Sequence, residues 1–438
     1  MKKYLIITYG CQMNENDSEK ISGMLEQLGY ESTDKEQDAD LIIMNTCSVR
    51  ENANNRFFGN LGNFKKLKKN KKDLMIAVCG CMMQEEHIVK KIKEKYSFVD
   101  IVFGTHNIAS LPSLLEECEA KRKLIVEVLE DSDNLAEGLP VNRQFKHKAF
   151  VSIMKGCNNF CSYCIVPYTR GRERSREYKN ILEEVKGLAL DGVKEVTLLG
   201  QNVNSYGKGL ENPISFAELL DMVSKVEGIE RVRFMTSHPK DLSDELIAVI
   251  KENQKICSHI HLPMQSGSSR ILKLMNRHYD KDDYVNLVNK IKREIPGVAL
   301  TTDIIVGFPT ETEEDFLDTL DVYKKSEFDT AFTFIYSKRE GTKAAVMDGQ
   351  VDEKTVKERF DRLLKLHDEI LLKQNEKYLG KVVEVLIDGV SKTNDKLLTG
   401  RTDTFKLVNF TGKGNTGDIV KVKITKIQTF HLTGEMVE

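Results

Sequence analysis

No apolar run in the sequence approaches the roughly 18 residues of a membrane span, so no membrane-spanning helix is expected. Secretion is not expected either: Lys2 and Lys3 are followed by only a short uncharged stretch before Cys11, Asn14 and Glu15. Cysteine is sparse. Nine in 438 residues are too few for a disulfide scaffold and odd in number, which points to a reducing, cytoplasmic setting where clustered cysteines serve metal or catalysis. Charge of one sign is not in excess either: 65 Lys and Arg against 67 Asp and Glu leave −2, which argues against a polycationic nucleic-acid binder. No repeat of 20 to 50 residues is present, which removes solenoids and propellers. What remains is 40% apolar and 30% charged residues over 438 positions, a soluble globular chain with length for about three domains.

Hydrophobic periodicity places strands at 4–8, 40–45, 74–78 and 99–103, separated by helical patterns at 17–28, 51–69 and 84–95. That alternation predicts an open parallel α/β sheet over 1–120. A stretch with little apolar periodicity and a Gly138-Leu139-Pro140 turn marks 121–147 as a linker. The strand-helix rhythm restarts at 150, with six strands at 150–154, 195–199, 231–235, 258–263, 299–306 and 329–336, which fits a partial TIM-like barrel. A long amphipathic helix over 352–378 follows. Beyond Gly380 five period-two segments predict a small antiparallel β-barrel of OB-like size. The domains are therefore expected at 1–120, 148–376 and 377–438.

Cys157, Cys161 and Cys164 form a C-x3-C-x2-C run directly after the first strand of the central domain. Three soft thiolates without a fourth ligand nearby suit an iron-sulfur cluster with one open iron. The competing structural zinc site wants four ligands. A second set follows from position: Cys11, Cys47 and Cys81 each stand just past one of the first three strands. In an open parallel sheet ligands gather at those carboxyl ends, so the three thiols are expected to converge. Cys79, Cys118 and Cys257 occupy no such place and read as packing residues.

The run around Cys157, with Tyr163 before its last cysteine, resembles the radical S-adenosylmethionine (SAM) superfamily. Together with the N-terminal cysteine set and the C-terminal small barrel, the whole chain resembles the methylthiotransferases. The segments Gly200-Gln-Asn-Val-Asn-Ser-Tyr-Gly207, Gly400-Arg-Thr402 and Val408-Asn-Phe410 are similar to the branch that modifies isopentenylated adenosine in tRNA. One departure is Gly307-Phe-Pro-Thr-Glu311, where the family pattern has glycine at Thr310. That change concerns local loop geometry only.

The resemblance implies a radical SAM barrel, a C-terminal TRAM domain and two [4Fe-4S] clusters. One would be held by Cys157, Cys161 and Cys164 and would cleave SAM; the auxiliary one, on Cys11, Cys47 and Cys81, would carry the sulfur. Two SAM molecules would be used to replace hydrogen by a methylthio group at C2 of the adenosine at tRNA position 37. The implied partners are the tRNA anticodon stem-loop, SAM and a flavodoxin- or ferredoxin-like electron donor, with a monomeric enzyme.

For SAM, Tyr163, Gly200, Gln201, Asn202 and Asp303 are the candidate contacts, with His261 and Gln265 beside them; turn-forming or helix-capping roles compete. For RNA, the candidates are Arg170 and Arg172, close after the cluster ligands, and Arg401 and Lys406 in the last domain. That domain holds ten Lys and Arg against seven acids from Lys377 onward, interleaved with Phe405, Phe410 and Phe430. Six lysines within 65–72 read instead as a solvated helix face. Two alternatives stay open: a sister enzyme acting on threonylcarbamoylated adenosine or a ribosomal-protein aspartate, and a non-catalytic RNA-binding protein with structural metal.

Overall fold

The computed structural model describes residues 1–49, 51–130 and 137–437, without the side chains of 51–53. The chain divides into two compact units: Met1–Gln144 with Met154–Phe160 and Cys164–Arg174, and Phe145–Ile153 with Cys161–Tyr163 and Ser175–Glu438.

The first unit is built on a six-stranded sheet in the order Glu31–Ser32, Lys3–Thr8, Leu41–Thr46, Met75–Gly80, Ile101–Phe103, Ile125–Glu127. Every pairing is parallel. Leu41–Thr46 is buried at every position, as a central strand covered on both faces must be. Phe57, Leu61 and Phe64 of the helix Glu51–Asn70 pack with Ile42, Met44, Ile76 and Val78. On the opposite face Ile21, Met24 and Leu25 join Leu111, Leu114 and Leu115 against Ile43 and Ala77.

Two expectations are corrected here. The first helix is Gln12–Gln27 and so begins five residues before the apolar pattern does, because its opening turns bury Asn14, Asn16, Asp17 and Ser18. Polar burial of that kind carries no hydrophobic period. The linker expected at 121–147 contains the strand Ile125–Glu127, with Leu124, Val126 and Val128 packed on the core. Three residues are too few to show alternation. Further on, Asn142 N–H donates to Glu19 O at 3.0 Å and Gln144 N–H to Glu19 Oε1 at 3.1 Å. Residues 131–136 of the expected linker lie outside the described residues.

The second unit carries six parallel strands in two groups of three. Lys148–Ser152, Glu195–Leu199 and Arg231–Phe234 form one sheet; His259–His261, Ala299–Val306 and Thr330–Ile335 form the other. A Val232–Ile256 bridge joins them, giving the expected partial barrel. Its last strand is an open edge on which Phe332, Phe334 and Ile335 remain exposed.

The helix Glu353–Glu376 leads into a closed five-stranded barrel. That barrel is not wholly antiparallel, because Leu407–Thr411 pairs in parallel with Leu432–Val437 to close it. Closure follows spatial order rather than chain order, so sequence spacing does not reveal it. Phe410 points into its core and is fully buried.

Thr310 adopts φ +68, the left-handed region that costs a β-branched residue about 1–2 kcal/mol. Its carbonyl accepts from Arg270 Nη2 at 2.6 Å and its N–H donates to Gly349 O at 2.7 Å, which pins the loop there. Thr310→Gly relieves the strain, less roughly 0.5–1 kcal/mol for glycine's greater freedom when unfolded. A melting curve is expected to show a rise of about 2 °C; a fall would contradict the strain.

Candidate functional site

Cys11, Cys47 and Cys81 stand at the carboxyl ends of three neighbouring strands of the first unit. Cys11 is the N-cap residue of Gln12–Gln27, Cys47 directly follows Leu41–Thr46, and Cys81 opens the short 3-10 turn Cys81–Gln84. Glycine permits the approach. A Cβ on Gly10 (φ +123) would lie 2.4 Å from Cys47 Cβ and 2.8 Å from its Sγ. A Cβ on Gly80 (φ +94) would lie 2.4 Å from Asn45 Oδ1 and from Thr46 O. Any larger residue would push the strand-end loops apart.

A buried polar net ties these loops together. Asn14 Nδ2 donates to Asn45 Oδ1 (3.1 Å) and Thr46 O (2.8 Å), and its Oδ1 accepts from Cys11 Sγ (3.4 Å). Asn45 Nδ2 donates in turn to Asn14 O at 2.9 Å and Ser18 Oγ at 3.0 Å.

Arg170 is 5% exposed. Its Nε donates to Cys81 Sγ at 3.3 Å and its Nη2 to Asp17 Oδ2 at 2.9 Å. Its assignment to RNA is therefore corrected: the guanidinium is spent inside the first unit. Burial opposes its charge, while the Cys81, Asp17 and Cys11 groups hold it protonated. The hydrogen bond with Cys47, then the Arg170 charge, draw Cys11 down to about 5 against burial. Burial raises the Cys81 thiol, and Arg170 opposes that rise.

This donor set, soft sulfur beside one fixed cation, fits an iron-sulfur cluster. Among the described residues no three His, Cys, Asp or Glu side chains close on a single ion position. Thiolates that each take a different iron of one cluster need no such point. Cys79, Cys118 and Cys257 are buried, and burial raises each of their thiols.

In the second run, Cys157 and Cys161 are buried and Cys164 is half-buried. Cys157 and Cys164 belong to the first unit, Cys161 to the second. Cys157 N–H donates to Gly171 O at 3.2 Å. Gly156 (φ +67) sits where a Cβ would meet Arg172 O at 2.0 Å.

Cys161 Sγ accepts from Arg277 Nη1 at 3.4 Å. Arg277 is itself 4% exposed, with Nε donating to Tyr279 Oη (3.0 Å) and Nη2 to Pro263 O (3.2 Å). Each of the two triads thus has one cysteine facing a buried arginine. The Tyr163 ring packs against Ile271, Met275, Phe308 and Ala344.

The carboxyl ends of the central strands hold polar atoms that the fold does not satisfy. Asn202 is 1% exposed; its Nδ2 donates to Asp241 Oδ2 at 2.7 Å, yet its Oδ1 has no partner among the described residues. The same holds for both amide atoms of Asn204, Ser237 Oγ and His238 Nε2. His238 Nδ1 accepts from Lys240 N–H at 3.3 Å. Burial and the nearby Arg277 charge push its pKa down to about 2, so the ring is neutral with a free Nε2–H.

Buried orphans of this kind cost stability unless a ligand meets them. Gly200 is buried and Gln201 half-buried beside them. Asp303 Oδ2 lies 3.4 Å from His261 Nε2, whose Nδ1 shares a hydrogen bond with Thr301 Oγ1 at 3.0 Å. Gln265 (φ +66) is held by backbone bonds to Asp303 and Ile305. Sequence reasoning missed Ser237, His238 and Arg277 and gave Asn204 no role of its own within the Gly200–Gly207 segment; a place after a strand was the only signal for Ser237 and His238, and Arg277, which follows the helix Ser269–Leu274, had none.

Of the other RNA candidates, Arg172 is exposed and lies 4.3 Å over the Phe160 ring. Lys406 is only 9% exposed and paired with Asp329 at 3.1 Å, so it is not a free phosphate contact. Arg401 lies 4.3 Å over the Phe405 ring. In the 65–72 run, Lys68 pairs with Asp100 and Lys71 with Asp40.

Three family models match the chain: the uncharacterized protein family UPF0004 over residues 3–104, the radical SAM superfamily over 151–323 and the TRAM domain over 376–437. Two solved folds are similar. The radical S-adenosylmethionine methyltransferase TsrM from Kitasatospora setae has a TM-score of 0.57 at 13% identity, covering 79% of this chain and 75% of that one. The cobalamin-dependent S-adenosylmethionine radical enzyme OxsB has 0.54 at 12%, covering 85% and 56%. At such identity the likeness is one of fold alone; the class, radical SAM, comes from the family model over residues 151–323.

The sequence relatives narrow the class. The tRNA-2-methylthio-N(6)-dimethylallyladenosine synthase of Alkaliphilus oremlandii is 57% identical over 100% of this chain and 93% of its own length. That of Clostridium tetani is 58% identical over 99% and 96%. The chain belongs to the tRNA-2-methylthio-N(6)-dimethylallyladenosine synthase family.

Proposed function

We propose that this protein is a tRNA methylthiotransferase that replaces hydrogen by a methylthio group at C2 of N6-isopentenyladenosine, at position 37 beside the anticodon. The observation that carries this reading is the gathering of Cys11, Cys47 and Cys81 at the carboxyl end of one parallel sheet, in a chain that also holds a radical SAM barrel. Bound SAM and iron-sulfur clusters supply the one-electron chemistry and the sulfur, since an aromatic C–H offers no acidity for general bases to use.

The chain's own residues hold and orient. Cys11, Cys47 and Cys81 would ligate the auxiliary cluster; Cys157, Cys161 and Cys164 would ligate the one that leaves an iron for SAM. Arg170 and Arg277 each give one ligand sulfur a fixed hydrogen bond. Asn202, Asn204, Ser237 and His238 present unsatisfied donors and acceptors that suit the amino, carboxyl and ribose groups of SAM. Gly200, Gln201 and Asp303 stand beside them, and Tyr163 braces the loop.

The first domain extends through the strand Ile125–Glu127; the radical SAM domain runs 148–376 and the last, 377–438, is a TRAM platform for RNA. A small one-electron carrier such as a flavodoxin or ferredoxin supplies reducing equivalents to a monomeric, cytoplasmic enzyme. No helix among the described residues is long and apolar enough to cross a membrane.

Anaerobically reconstituted full-length protein is expected to bind about eight irons and to convert isopentenylated tRNA to its methylthio form, read by nucleoside mass spectrometry. Product only on threonylcarbamoylated tRNA would move it to the sister branch. Zinc without iron would make it a non-catalytic RNA binder.

A further inference from the structure

Where the carboxyl end of the helix Glu353–Glu376, the open edge strand Thr330–Ile335 and the terminal barrel meet, the second unit holds a cavity of about 250 Å³. Neither cluster chemistry nor SAM cleavage calls on it. Its lining includes two exposed phenyl rings, Phe332 at 43% and Phe430 at 72%. One exposed phenylalanine needs no explanation; two at a single cavity mark a binding surface.

A third ring, Phe405, is fixed in the wall. Its backbone sits at φ +67 and its face stacks on His259 at 5.0 Å and 19°, while Arg401 lies 4.3 Å from its centroid. The turn that carries it is clamped by Arg233, which donates to Thr402 O at 2.6 Å and Asp403 O at 2.7 Å. The wall is thus organised before any ligand arrives.

Asn375, 2% exposed, pins the opposite turn through Nδ2 bonds to Gln428 O (2.8 Å) and Thr429 O (2.9 Å). Its buried Oδ1 has no partner among the described residues and so stands at the wall as an open acceptor. Lys406, the other cation of the lining, is neutralised by Asp329, so the cavity is not built for a bare phosphate. Flat aromatic faces, one guanidinium and an open amide acceptor suit a planar heterocycle with an exocyclic amine.

One lining residue also neighbours two candidate SAM contacts. Phe332 pairs in register with Asp303 and meets the His261 ring at 5.8 Å. We propose that this cavity takes an unpaired, amine-bearing nucleobase of the substrate RNA loop, a neighbour of the modified adenosine, so that the enzyme reads a second loop nucleotide. This rests on the tRNA reading.

The test uses full-length protein and a labelled isopentenylated anticodon stem-loop, with a series in which each unmodified loop nucleotide is made abasic. Phe430→Ala and Phe332→Ala are expected to weaken binding about 5- to 150-fold, the loss of one base stack. One abasic position is expected to cause the same loss, with Phe430→Ala adding nothing on that RNA. Equal affinity of both variants and wild type, or the same loss from Phe430→Ala on every abasic RNA, would overturn the proposal. Failure of the wild-type protein to bind any stem-loop would overturn the tRNA reading and the proposal with it.

Discussion

Cys11→Ala is expected to abolish methylthiolated nucleoside, by at least about a hundredfold, while SAM is still cleaved reductively to 5′-deoxyadenosine. Cys157→Ala is expected to abolish both. The two cysteines serve different sets: Cys11 lies with Cys47 and Cys81 at the carboxyl end of the parallel sheet, whereas Cys157 opens the C-x3-C-x2-C run. Each variant is expected to keep about four irons, half the wild-type content, because the intact triad still holds its cluster. Product formation by Cys11→Ala would refute the assignment of the first triad. Loss of all iron from either variant would show that the six cysteines form one interdependent site. The measurement is one anaerobic incubation read for 5′-deoxyadenosine and modified nucleoside, with iron determined on the same sample.

The first triad is legible in the sequence because strand ends are legible there. Ile6-Ile7, Ile42-Ile43 and Ile76-Ala77-Val78 are β-branched or small and apolar, and each strand closes on Gly-Cys, Thr-Cys or Gly-Cys. The rule that ligands collect at carboxyl ends then joins residues 70 positions apart. What surrounds the triad is not legible in the same way. Arg170 stands in an alternating Arg170-Gly-Arg-Glu-Arg-Ser-Arg176 stretch that looks like an RNA-facing basic strip. Only the short helix Val166–Thr169, with Thr169 O held by Thr105 Oγ1 at 2.8 Å, turns it inward. Arg176 is inward as well, paired with Glu184 at 2.8 Å, whereas Arg172 faces solvent. Charge in a sequence says nothing of which cations find a buried partner. Of the polar group at the central strand ends only Asn202 is legible, beside Gly200 and Gln201; Ser237 and His238 are silent, since polar residues after strands are ordinary turn formers. It is their unmet hydrogen bonds, a property of three dimensions, that set them apart.

Arg170→Leu is expected to destabilise the first unit by about 3–5 kcal/mol, the cost of leaving one partner of a buried ion pair behind. Asp17 has a side chain only 7% exposed and would lose its hydrogen-bonded cation, with Lys155 left as a more distant charge. Against a usual margin of about 5–15 kcal/mol, that loss is expected to appear as an early melting transition of the apoprotein and as reduced iron. The double variant Arg170→Met/Asp17→Leu removes both charges and is expected to recover most of the melting temperature. It still lacks the N–H that meets Cys81 Sγ at 3.3 Å in the wild type. A cluster sulfur without that donor, and without the positive charge, holds an added electron less well. The auxiliary cluster in the double variant is therefore expected to reduce at a more negative potential, seen in an EPR-monitored redox titration. Arg170→Lys keeps the charge but not the fork that spans Cys81 and Asp17, and is expected to fall between. Wild-type melting and wild-type potential in Arg170→Leu would show that the arginine neither supports the sheet edge nor touches the cluster electronically. A lowered melting temperature in the single variant with an unshifted potential in the double would leave it a structural ion pair alone.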